Sequence, residues 1–496
     1  MNFIRQRLIT LRTRAREMQT DMRRWALFAS TVSNEMRNDL VARLTPAERE
    51  AFEHTSDVAR ARLRPVATPI ETLRKWVDFL LERVGEQFER ARALLDQGRN
   101  HECLAVLADI EQRMIQPNRD TLAFIGRSLR QRTSQEDFQK MVALDAIIRD
   151  LYLPTAKIAH QRGLIPKEAL SRTPLAYLTD ATDGAFTWRQ HAQAAAVGGR
   201  MIPITLLGVP REHTADPWNL VAIAHEVGIQ LYQDLQLGYE FSDKLLRESV
   251  NANVSPQTAP VWARWHETLF ADVFGVLRMG PAYVSGMIER MGVDPRLAVA
   301  FSSESPAPPV YIRWHVMLQT LHLIGYAEEA RRHFGQIHML CGDPVQLAQT
   351  FGPVWMQLLN EARSIAGLIA FTPSQRLGGL RIIDAAPPFL STEAQQAQKV
   401  RDLLLAGDES CVRDNECRWA DSGRNIPAHL ALAGLRWAYE TTEDVEASRK
   451  LWIRFWCLMQ VLTEEVLPSR EREDREFAPT EAAIKTLAHH AVPAMA

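Results

Sequence analysis

The sequence predicts a mainly α protein with a small sheet. Long stretches place apolar residues three and four apart, the spacing of one helix face. Helix starts and stops are marked by Thr68-Pro69, Asp216-Pro217, Asp96-Gln97-Gly98 and Gly280-Pro281. One short apolar run between Gly and Pro, residues 201–210, reads as a strand.

The first segment carries Ile4, Leu8, Leu11, Ala15, Met18, Met22, Trp25, Ala29, Val32 and Met36 on a period near 3.5. That is the seam of a coiled coil, and Arg5, Arg7, Arg12, Arg14, Arg16, Arg23 and Arg24 lie between. The seam suits packing on the body or on a partner helix. A second reading is a basic helix on an anionic surface. A helix from Thr68 follows, with Ile70, Leu73, Val77, Leu80, Val84, Phe88, Ala91 and Leu95 on its apolar face, and another runs from Cys103 to Met114. Residues 137–160 are again helical, whereas 163–200 lose periodicity. Further helices are expected over 261–279, 310–333 and 344–369, with breaks at 302–309 and 371–392. Three regions result: an N-terminal helical, coiled-coil-like region at 1–135, a core at 136–370 and a C-terminal helical region at 371–496.

Composition narrows the function class. The apolar fraction is 46% and formal net charge is -2, which does not favour a nucleic-acid binder. Five scattered cysteines, Cys411 and Cys417 among them, form no CxxC pair, so a disulfide framework is not expected. No apolar run reaches the length of a membrane span, and arginines interrupt the N-terminus where a secretory signal needs an apolar core. A cytoplasmic protein is expected, with a protein or peptide partner, no nucleic acid and no transmembrane segment. The N-terminal helix is a candidate surface for a homo-oligomer or a partner.

The chemistry-bearing segment is the helix from Pro217 to about Leu237. It contains His225-Glu226-Val227-Gly228-Ile229. Zinc peptidases use His-Glu-x-x-His, in which two imidazoles one turn apart reach one metal and the glutamate takes a proton from the bound water. Here Ile229 stands where the second histidine would be. Gly228 costs helix stability, which predicts close packing of a neighbouring helix. A later segment, from Trp262 to Gly275, places Glu267, Ala271 and Gly275 on one stripe, a carboxylate beside two small residues.

AHEVG followed by ETLFADVFG resembles the gluzincin group of zinc metallopeptidases over roughly residues 200–330, about a quarter of the chain. The resemblance implies a zincin-like α+β core with a small sheet between the helical terminal regions. It makes His225 and Glu267 metal ligands, Glu226 the catalytic base and Asp272 an accessory carboxylate, one residue further from Glu267 than in some families. Tyr311, Arg313 and His315 are candidate accessory residues on the cleft. Ile229 is a missing ligand position. Two protein ligands hold zinc poorly, so zinc is expected to be weakly bound or absent. His266 adjoins Glu267, but neighbours on a helix diverge by about 100°. The function expected from these residues is that of a metallopeptidase-like pseudoenzyme acting by protein binding. The alternatives are an active zinc-dependent hydrolase with a replacement ligand, and a helical scaffold with an accidental motif.

Overall fold

The computed structural model describes residues 2–29, 67–132, 134, 137–165, 173–180, 186–188, 205–247, 253–292, 294–302, 304–342, 344–406 and 426–463. It is mainly helical, as the periodicity predicts, with three short strands in the order β1-β3-β2: β1 (Leu175–Thr179), β2 (Phe186–Trp188) and β3 (Leu206–Pro210). β3 falls at the end of the predicted apolar run, and 201–204 lie outside the described residues. The chain divides into two compact units near Val142.

The first unit is built from α1 (Asn2–Ala29), α2 (Ala67–Asp96), α3 (Asn100–Asp109), a π-helical turn at Ile110–Ile115 and α4 (Gln116–Gln131). The first part of the N-terminal seam is covered within the chain: α1 packs on α2, and Ile4, Leu11, Ala15 and Met18 are buried. Some of the seam's arginines have carboxylate partners. Arg7 and Arg14 each reach Glu111 at 2.8 Å, and Arg12 reaches Glu89 at 2.9 Å. Val32 and Met36 lie outside the described residues. α2 begins at Ala67, so Thr68 and Pro69 sit in its first turn.

The second unit takes most of α5 (Phe138–Gln161) and the helices that follow β3. These are α6 (Arg211–Ala215), a 3-10 turn at Pro217–Ala222, α7 (Ile223–Asp234) and α8 (Gly238–Arg247). The predicted helix from Pro217 therefore opens as a 3-10 segment. At the centre is α9 (Ala259–Met291), against which α7, α8 and the 3-10 turn all pack. Beyond it come α10 (Pro295–Val299), α11 (Val310–Leu323), α12 (Ala327–Cys341), α13 (Pro344–Phe351) and α14 (Pro353–Phe371). The stretch 310–333, expected as one helix, is divided at Gly325 with φ +101°, and 344–369 is divided at Gly352 with φ +86°. The break after 371 holds α15 (Ile382–Ala385), followed by α16 (Ser391–Ala406), α17 (Ala428–Glu440) and α18 (Val445–Leu462). α16, α17 and α18 pack on one another, and α17 packs on α9. Cys411, Cys417 and the chain from 464 lie outside the described residues.

Gly280-Pro281, expected to end a helix, instead bends α9, which resumes to Met291. Gly280 takes φ +57° and ψ -138°, a conformation that carries a steric penalty for any side chain with a Cβ. Backbone groups near the bend find new partners. The Leu277 carbonyl accepts from the Phe389 N–H at 2.6 Å, and Arg278 donates to the carbonyls of Pro387 at 2.6 Å and Asp150 at 3.0 Å. A second device fixes the start of α9. Glu361 of α14 is buried and accepts from Ser255 N–H at 2.8 Å, from the Thr258 hydroxyl, and from the Trp262 indole at 2.7 Å.

Candidate functional site

α7 runs antiparallel to α9 with very close backbones. A Cβ on Gly228 would sit 2.8 Å from the Ala271 Cα, so glycine is required for this approach. The approach brings His225 to Asp272, whose carboxylate is fully buried. His225 Nδ1 lies 2.9 Å from Asp272 Oδ1, so Nδ1–H donates to the carboxylate.

Three further groups converge on the same carboxylate. Arg313 of α11 donates from Nε to Asp272 Oδ2 at 2.8 Å and from Nη2 to Oδ1 at 2.9 Å. Tyr283 donates its hydroxyl to Oδ1 at 3.0 Å. The bend at Gly280 is what folds Tyr283 back to a residue eleven positions earlier, and its ring covers Gly275, where a side chain would collide. Burial pushes the Asp272 carboxyl up, but Arg313 and His225 outweigh it and hold it well below the usual carboxylate range. Burial and the Asp272 charge keep the Tyr283 phenol protonated, as a donor. Arg313 Nη2 also comes within 3.4 Å of His225 Nδ1, a contact of a permanent cation with the imidazole and not a bond, since that nitrogen's proton already serves Asp272.

Of the residues named from sequence, His225, Asp272 and Arg313 are therefore brought together. Glu226 lies within electrostatic reach of Arg313, Tyr283 and Arg290. Glu267 goes elsewhere: its Oε1 accepts from Gln233 Nε2 at 2.9 Å, two turns along α7 from His225. Its neighbour His266 bonds the Tyr232 hydroxyl at 2.8 Å and the Ser242 hydroxyl at 2.8 Å. The rings of Tyr311 and His315 lie 4.9 Å apart and tilted, in an aromatic cluster with Trp355 and Phe334. Burial lowers the His315 imidazole to about 4, so it is neutral. Ile229 is buried in the core. Tyr283 and Arg290 did not stand out in the sequence. The Gly-Pro pair before Tyr283 was the available signal, but it reads as a stop until the bend is seen.

These donors do not make a conventional zinc site, which takes three protein ligands. Ile229, one turn after His225, and Thr268, one turn before Asp272, face the same interhelical seam and carry no imidazole or carboxylate. Among the described residues no group of three His, Cys, Asp or Glu is placed to hold a metal ion. No family model, no curated protein and no solved structure matches the chain. Among the described residues no helix is long and apolar enough to cross a membrane.

Proposed function

We propose that the second unit is a metallopeptidase-like frame without efficient zinc catalysis, and that the protein acts by binding a protein or peptide partner. One observation carries this reading. The His225 Nδ1–H and both oxygens of Asp272 are committed to an internal network closed by Arg313, so the imidazole stands beside a built-in cation. A divalent ion at His225 would meet that positive charge with few other ligands to offset it. His225, Glu226 and Arg313 form a polar cluster beside the α7–α9 contact, chemistry suited to holding polar peptide groups.

Metal analysis of protein purified without chelator tests the reading. Zinc is expected well below one equivalent, before and after zinc addition and dialysis. Near-stoichiometric zinc that disappears in His225→Ala would overturn it in favour of an active hydrolase with a replacement ligand. Peptide hydrolysis is expected at background and unchanged in Glu226→Gln.

A further inference from the structure

We infer that the groove between the start of α12, α16 and α17 binds a small organic ligand by its alkylammonium group. The groove shares no residue with the His225–Asp272–Arg313 network, and this inference does not rest on the binding role proposed above.

The groove has a volume of about 720 Å³, the size of a small-ligand site, and is open to solvent along one side. Its wall is mostly apolar. One face of α16 forms its length, from Ala394 to Ala406, and Tyr326 and Trp437 contribute aromatic rings. Both rings rest on Phe389, which is fully buried. Their centroids lie 6.0 Å and 5.7 Å from its own, Tyr326 tilted and Trp437 edge-on. Phe389 is itself pinned at the bend of α9: its N–H donates to the Leu277 carbonyl, and its ring covers Gly280. The Tyr326 hydroxyl donates to the Leu390 carbonyl at 3.4 Å, which ties its ring to the start of α16. The aromatic wall is therefore held in place before any ligand arrives, which lowers the entropy cost of binding.

Charge in the groove is separated along α16. Glu329, in the first turn of α12 and one turn from Tyr326, lines the aromatic end. Glu393 adjoins the same end, since its Oε2 accepts at 3.1 Å from the N–H of Leu390, the residue whose carbonyl receives the Tyr326 hydroxyl. Burial, together with the charges of Glu329 and Glu393, raises the Tyr326 phenol to about 12, so it stays a neutral ring. Lys399 also lines the groove, nearly two turns further along α16 than Glu393. Beyond it, Asp402 accepts from Gln398 at 2.7 Å and pairs with Arg401 at 3.1 Å. The aromatic end is thus the acidic end. An alkylammonium group suits both features: its methyl groups pack on the ring faces, and its charge is met by the rings and the carboxylates. A carboxylate or phosphate would be repelled there.

NMR titration of the full chain with two probes tests the inference: choline, and its uncharged carbon isostere with a tert-butyl group in place of the trimethylammonium. Choline is expected to bind at least about fivefold more tightly than the isostere. It should shift the tryptophan indole resonance that disappears in Trp437→Phe. Trp437→Leu and Glu329→Gln should each reduce the preference by at least about twofold, and Trp437→Phe should retain part of it. Circular dichroism confirms that the variants are folded, and Glu329→Gln, which alters only the groove wall, keeps the test decisive if Trp437→Leu does not fold. Equal binding of choline and the isostere would overturn the site. So would a preference unchanged in either folded variant, a shift confined to other indoles, or no binding by choline at millimolar concentration.

Discussion

Arg313 holds Asp272 through both carboxylate oxygens, from a helix that begins 38 residues after it. This pair, more than any single motif residue, sets the chemistry at His225. With both partners in place the buried charge is compensated. Removing either strands the other away from water, and the expected cost is about 3–5 kcal/mol for Arg313→Ala or Asp272→Ala. A double-mutant cycle in urea measures the coupling, and the double variant should be less destabilised than the sum of the singles.

Acid should reveal the same carboxylate. The folded Asp272 carboxyl is held low, so its contribution is present above the unfolded value of about 3.9 and is lost as pH falls through the folded value. The fall in stability below about pH 4 should be shallower in Asp272→Asn. Parallel curves for the two proteins would contradict the assignment.

The buried imidazoles act at higher pH. His213 and His315 have folded values of about 4, below the unfolded value of about 6.5. Between these values the unfolded chain binds protons that the native state refuses, so stability falls as pH drops from 6.5 toward 4. His315→Phe, which keeps an aromatic ring in the cluster with Tyr311, should flatten that slope in denaturation measured at neutral and mildly acidic pH.

The bend in α9 should tolerate little. Gly280→Ala places a Cβ at positive φ and against the Phe389 ring, and Gly275→Ala places one in the Tyr283 ring. Each is expected to cost about 1–3 kcal/mol or more. Because Tyr283 reaches Asp272 only through the bend, Gly275→Ala should also alter the His225 NMR resonances. Unchanged resonances would separate the bend from the site.

The two empty positions on the seam make a constructive test. Ile229→His with Thr268→Glu adds an imidazole one turn after His225 and a carboxylate one turn before Asp272. Zinc uptake is expected to rise toward one equivalent in the double variant and to stay low with Ile229→His alone. Failure of the folded double variant to bind zinc would argue that the motif is accidental.

Helix existence was legible because burial of one face imposes a 3.6-residue period, which α1, α2, α5 and α7 all carry. His225 was legible as a candidate, and the tight approach at Gly228 was legible too, since only a close neighbour justifies glycine there. Arg313 is a candidate in the sequence, without a legible partner. Its partner could not be read from spacing, because the two residues meet only after α9 and α11 pack. Glu267 has the residue type expected of a ligand, and its bond from Gln233 could not be read from spacing, because that pair also meets only when α7 packs on α9.

Local periodicity and residue chemistry are one-dimensional properties, so the helices, the strand that ends at Pro210 and the isoleucine at 229 in place of a second histidine are all legible in the chain. Folding added that His225 pairs with Asp272 and that Gly280 bends a helix it was expected to end. Those outcomes depend on which faces meet, and a pairing such as Tyr283 with Asp272 exists only once the chain has folded back on itself.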